Sequence, residues 1–143
     1  MDADDPRLSG IQSNVAFALE EFGTLTEAPF GLDKPSVEWV EGYIERMRTR
    51  LGGPPAPGLV GVIGSFLGQA IIAAGDGKWA EDPAHGIGIR FANGDWCFPF
   101  AKVKKQFSDG LEGDESILGF YNVAIEYVAK GKLRDSPGET AEE

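Results

Sequence analysis

Leu59 to Ala74 reads Leu-Val-Gly-Val-Ile-Gly-Ser-Phe-Leu-Gly-Gln-Ala-Ile-Ile-Ala-Ala, a run with no charged residue and apolar side chains on every side. It is long for a strand, its large side chains do not alternate, and no proline interrupts it, so the run is a buried helix around which the remaining chain must wrap. Gly61, Gly64 and Gly68 fall at i, i+3 and i+7 and share one face with Ser65 beside them; Leu59, Ile63, Phe66, Leu67, Ile71 and Ile72 cover the rest. Each interior glycine costs about 1 kcal/mol relative to alanine. Burial of each large apolar side chain contributes roughly 1.5 to 3 kcal/mol, so burial wins. The glycine face is then expected to be a groove where another backbone approaches closely. Crossing a bilayer takes about 20 residues, and this run ends at Gly75-Asp76-Gly77-Lys78, so it is not a membrane span.

Working outward, the same core demand meets a chain of 143 residues, 42% apolar, enough for a single domain over residues 1–131. The formal charge is −10, but half of it sits at the ends, −3 over residues 1–5 and −2 over residues 132–143. Such a balance opposes non-specific association with nucleic acid or anionic membrane and suits a basic partner. Met-Asp-Ala-Asp-Asp-Pro has neither the basic nor the apolar region of a secretory signal, and Cys97 alone forms no internal disulfide, so a cytoplasmic location is expected.

Upstream, Asp5-Pro6 reads as a cap and first turn, and Leu8, Ile11, Val15, Ala18, Leu19 and Phe22 recur at helical spacing. Thr24 to Lys34 is irregular, with Phe30 and Leu32 anchored in the core. Pro35-Ser36 opens a second helix whose Val37, Val40, Ile44, Met47 and Leu51 form one stripe, stopped by Gly52-Gly53. Downstream, Lys78 to Glu81 reads as a short strand. Gly86 to Phe91 and Asp95 to Phe100 alternate around Asn93-Gly94, which predicts a hairpin with a two-residue turn. In that register Phe91 faces Trp96, Ile89 faces Phe98 and Ile87 faces Phe100, with every large apolar side chain on one face. Ala101 to Phe107 is a short helix, and Asp114 caps a final amphipathic helix ending near Gly131; residues 132–143 are expected to be a disordered acidic tail. The fold class is thus α+β: two N-terminal helices, a buried glycine-striped helix, a small antiparallel sheet with the Asn-Gly hairpin, and a C-terminal helix.

The succession Phe66-Leu67-Gly68, Trp79, Gly86 to Phe91, Asn93-Gly94, Phe98-Pro99-Phe100, Val103, Lys105 and Ser116-Ile117 resembles a class of small uncharacterised bacterial domains. The resemblance spans about Leu59 to Tyr121 and implies a fold; it brings no catalytic residue.

Candidate chemistry is sparse. Cys97 and His85 are the one pair suited to an activated thiol, but Cys97 sits mid-strand between Trp96 and Phe98, the setting of an inert cysteine. Ser65 lacks the flanking glycines of a nucleophile elbow, with Ile63 and Leu67 in their places. Gly77-Lys78-Trp79 lacks the rest of a phosphate loop. Asp76, Glu81 and Asp82 match no calcium-loop spacing and read as a solvated rim, and there are too few ligands for structural zinc. Lys102, Lys104, Lys105 and Arg90 read as a solvated face. No catalytic residue, cofactor or metal is therefore expected. The expected role is non-catalytic protein binding, as an immunity-type inhibitor or regulatory domain, with Trp39 and Tyr43 as aromatic anchors and Glu38 and Glu41 steering a basic partner. The alternative is a small-ligand binder or enzyme with a pocket between the hairpin and the Asp76 to Asp82 loop.

Overall fold

The structure, a computed structural model, describes residues 1–128. The expected end of the last helix near Gly131 and the tail over residues 132–143 lie outside them. The order of elements is α1 (Pro6–Leu25), α2 (Lys34–Leu51), α3 (Pro57–Ala74), β1 (Lys78–Asp82), β2 (Gly86–Arg90), β3 (Trp96–Cys97), α4 (Pro99–Asp109), a 3₁₀ turn (Leu111–Gly113) and α5 (Ile117–Val123), which runs into a π turn (Ala124–Val128). The expected α+β class is the observed one.

Local chemistry accounts for the helix ends. The Asp5 carboxylate accepts the Arg7 amide ahead of Pro6, and Asp33 accepts the Ser36 amide at 3.0 Å ahead of Pro35. Gly52, at φ 64°, takes the left-handed conformation that ends α2 and returns its amide to the Arg48 carbonyl. Helix α3 is the centre of the core: Ile63, Phe66, Leu67, Ala70 and Ile71 are wholly buried. Around it lie Ile11, Val15, Ala18 and Phe22 of α1, Val37, Val40 and Ile44 of α2, Val103 of α4 and Ile117 of α5. Its 18 residues, of mean hydropathy 1.7, have the length and composition to cross a membrane, and here they form the core helix.

The glycine groove of α3 is real, but its occupants differ from expectation. Side-chain rings, not a backbone, fill it. A Cβ at Gly64 would strike the Phe100 ring, and one at Gly68 would strike the Trp79 ring and approach Pro99 Cγ at 3.1 Å. Trp79 and Phe100 lie 5.7 Å apart, so the notches seat the inner face of the sheet and the start of α4 on the helix.

The sheet is antiparallel in the order β1-β2-β3. Its hairpin departs from the expected register by one residue: Ile89 pairs with Cys97 and Arg90 with Trp96. The loop is three residues, Ala92-Asn93-Gly94, closed by the Gly94 amide on the Phe91 carbonyl (2.9 Å) and the Phe91 amide on the Asp95 carbonyl (2.8 Å). Asn93 Oδ1 takes the Asp95 amide at 2.9 Å, and Gly94 has φ 92°, which stabilises the longer loop over the two-residue turn. Trp79, Ile89 and Cys97 therefore face α3, while Trp96 and Phe98 turn to the opposite, outer face. Helix α4 begins at Pro99 and not Ala101, since proline suits a first helical position, and this shortens β3 to two residues.

The cap of α5 is Ser116, not Asp114. Asp114 closes the preceding 3₁₀ turn in a left-handed conformation, φ 65°, with its amide on the Leu111 carbonyl.

Candidate binding surfaces

On α2, Trp39, Tyr43 and Arg46 follow i, i+4 and i+7 and so share one stripe. Trp39 and Tyr43 are half-buried and stack at 5.7 Å with 20° between their planes, and the Arg46 guanidinium lies over Trp39 at 5.4 Å. Behind them Phe22 contacts both rings (5.6 and 4.9 Å), Phe30 contacts Trp39 (5.9 Å), and Phe30 stacks on buried Phe66 (5.2 Å). The pair is thereby backed by further rings where it meets the surface. Arg46 is a member that sequence reasoning missed, although its spacing from Trp39 was there to be read.

The two glutamates part company. Glu38 is exposed beside Trp39. Glu41 is turned inward: its Oε1 accepts the Ser116 hydroxyl at 2.5 Å and the Leu118 amide at 3.2 Å. With Gln106 Oε1 taking the Ile117 amide (2.8 Å) and Ser116 Oγ the Gly119 amide (2.9 Å), three leading amides of α5 are satisfied by side chains. Glu41, expected from the sequence as a steering charge, is in the structure a half-buried tie between α2 and α5.

A second aromatic surface follows from the observed register and not from the expected one. Trp96 and Phe98 are half-buried on the outer face of the sheet, parallel within 4° and 5.8 Å apart, with the His85 ring 5.4 Å from Phe98.

The remaining candidates are chemically quiet. The Cys97 thiol is pushed up to about 12 by burial, far from the thiolate that nucleophilic chemistry needs. His85 Nδ1 instead meets Asp82 at 2.5 Å. Ser65 is wholly buried, its Oγ accepting from Asn14 Nδ2 at 3.2 Å. The acidic loop residues diverge: Asp76 accepts the Ala92 amide, Glu81 pairs with Arg7 at 2.9 Å, and Asp82 holds His85. Among the described residues no three His, Cys, Asp or Glu side chains gather as a metal site. A concavity of about 910 Å³ lies between the end of α2, the Gly52 to Pro57 connection and α4. Its guanidinium, from Arg48, is already bound to Glu45 (3.0 Å), Glu112 (3.3 Å) and the Phe107 carbonyl (3.1 Å).

Comparison of the chain with known protein families, curated proteins and solved structures finds no match. Function therefore rests on these surfaces.

Proposed function

We propose that the protein acts by holding a protein partner on the Trp39-Tyr43-Arg46 stripe of α2, without turnover, as an inhibitor of the immunity type or a regulatory domain. The observation that supports this is the half-exposed stack of Trp39 on Tyr43 beneath Arg46. Tryptophan, tyrosine and arginine are the side chains that dominate interface energetics. Rings already fixed by Phe22 and Phe30 lose little freedom on binding. Exposed Glu38 at the edge of the stripe steers a basic surface and acts on the association rate more than on residence time.

The test is quantitative capture of the partner by the full chain from its native cell. Trp39→Ala and Arg46→Ala should each weaken capture by about tenfold or more, as expected for anchors worth at least about 1.4 kcal/mol. Arg46 is exposed, so its variant folds normally and separates binding from stability. Capture unchanged in both variants, with native circular dichroism, would reject the stripe as the site.

A further inference from the structure

The outer face of the sheet carries an opposed pair of cations. The register sets Lys78 of β1 directly across from Arg90 of β2, and Arg90 across from Trp96 of β3, so the three form one row on the face turned away from α3. Directly opposed side chains in an antiparallel pair have Cβ atoms about 5 Å apart, and like charges there are unfavourable. Both cations are exposed, and among the described residues neither has a carboxylate within 4.0 Å. Arg7 and Arg48, by contrast, each hold two and Lys102 holds one. The chain has 23 acidic residues against 13 basic ones, which makes an uncompensated cation pair the less expected arrangement.

The next row supplies an apolar platform. Gly88 leaves room for the Phe98 ring, since a Cβ there would meet that ring and the Cys97 carbonyl oxygen at 2.7 Å. Phe98 and Trp96 then lie parallel along the edge of the sheet. Beyond them the surface falls into a shallow concavity of about 490 Å³ that Phe120 lines and Lys102 and Lys105 border.

We propose that this face docks an acidic peptide segment in which a carboxylate neighbours an aromatic or large aliphatic side chain. The carboxylate sits between Lys78 and Arg90 and relieves their repulsion, while its neighbour lies on the Trp96-Phe98 pair. Adjacent strands are about 4.8 Å apart and an extended chain rises about 3.3 Å per residue, so consecutive or next-nearest residues of one peptide reach both subsites. Single-stranded nucleic acid would present a similar anion and ring, but a chain of net charge −10 repels a polyanion more than a short acidic segment. The surface is separate from the α2 stripe and does not depend on it.

Fluorescence anisotropy with the full chain tests the assignment, using four labelled probes. These are a short peptide alternating glutamate and phenylalanine between glycines, its lysine-for-glutamate and serine-for-phenylalanine counterparts, and a thymidine oligonucleotide. The glutamate-phenylalanine peptide should bind about tenfold or more tightly than either counterpart, and weaken as salt is raised. Lys78→Glu should lower that affinity by about tenfold while raising the melting temperature, because it replaces repulsion of Arg90 with pairing. A merely solvated face gives the rise in stability without the loss of affinity, and that result overturns the proposal. So does equal binding of the lysine peptide, or no binding of the glutamate-phenylalanine peptide at millimolar concentration. Tighter binding of the oligonucleotide would also overturn it and assign the face to nucleic acid.

Discussion

A methyl group added at each of the three glycines of α3 meets a different neighbour. At Gly61 its nearest contact is Asn14 Nδ2 at 3.6 Å, ordinary van der Waals distance. Gly61→Ala should therefore stabilise the protein by up to about 1 kcal/mol, the difference in helix propensity. At Gly68 it strikes the ring of Trp79, which is 6% exposed and tied to Gln69 Oε1 through its indole N–H at 3.1 Å, so the ring cannot step aside. Gly68→Ala should cost about 1 to 3 kcal/mol despite the propensity gain. At Gly64 the obstacle is half-buried Phe100, which has more room to swing, so Gly64→Ala costs less than Gly68→Ala and Gly64→Leu costs more than either. Urea denaturation ranks the four variants, and a Gly68→Ala protein as stable as Gly61→Ala would refute the account of the groove. The one-faced spacing of these glycines was legible in the sequence. That rings fill the notches was not, because nothing local to α3 says that Trp79 and Pro99-Phe100 return to it. The tie made by Glu41 was hidden for the same reason: its partners, Ser116 and Leu118, lie far along the chain.

Between β2 and β3 the loop length decides which aromatic side chains the solvent meets. Gly94, at φ 92°, ends a three-residue loop, and an L-residue there is strained by roughly 1 to 2 kcal/mol. Gly94→Ala should lower stability by about that amount. Deletion of exposed Ala92 leaves Phe91 opposite Asp95 with Asn93-Gly94 as a two-residue turn, so it should keep the Arg90-Trp96 pairing and cost no more than about 1 kcal/mol. Thermal melts with amide nuclear Overhauser contacts across the pair check both. A deletion that moves Trp96 to the core face would contradict the observed register. Asn93-Gly94 marked the tip from sequence alone. The register did not follow from it, because alternating residues on both strands satisfy two alignments one residue apart, and the choice falls to the Asn93 side-chain bond and to Pro99, which ends the strand early.

Across the whole molecule, ion pairs join elements distant in sequence. Arg7 ties the start of α1 to Glu81 of β1, Arg48 of α2 meets Glu112, and Lys102 of α4 meets Glu115 at 2.6 Å. The Arg7 side chain, with its amide, holds the Asp5 carboxyl down at about 2, and Glu115 is lowered by Lys102. Glu112 is lowered first by a backbone hydrogen bond and then by Arg48. Carboxylates depressed in the folded state add stability that is complete above their unfolded values, near 4, and is lost as pH falls through the folded ones. Stability should thus hold level between about pH 5 and about pH 8 and decline from about pH 4 towards about pH 2. Asp5→Asn should flatten part of that decline, most visibly at low salt because the pair is exposed. Urea midpoints measured across that range decide it, and an unchanged acid limb in Asp5→Asn would remove Asp5 from the account. At this scale the order of helices and strands was legible because hydrophobic period and turn residues agree locally. The pairing of charges was not, since an excess of acids offers each cation several partners.

The seating of Trp79 in the Gly68 notch also makes the chain optically informative. Its three tryptophans occupy three environments: Trp79 is buried between sheet and helix, Trp39 is stacked beneath a guanidinium, and Trp96 is half-exposed on the sheet. Trp79 therefore emits at the blue end of the native spectrum, and its red shift times the undocking of the sheet from α3, while the other two indoles report ligands arriving at their own surfaces.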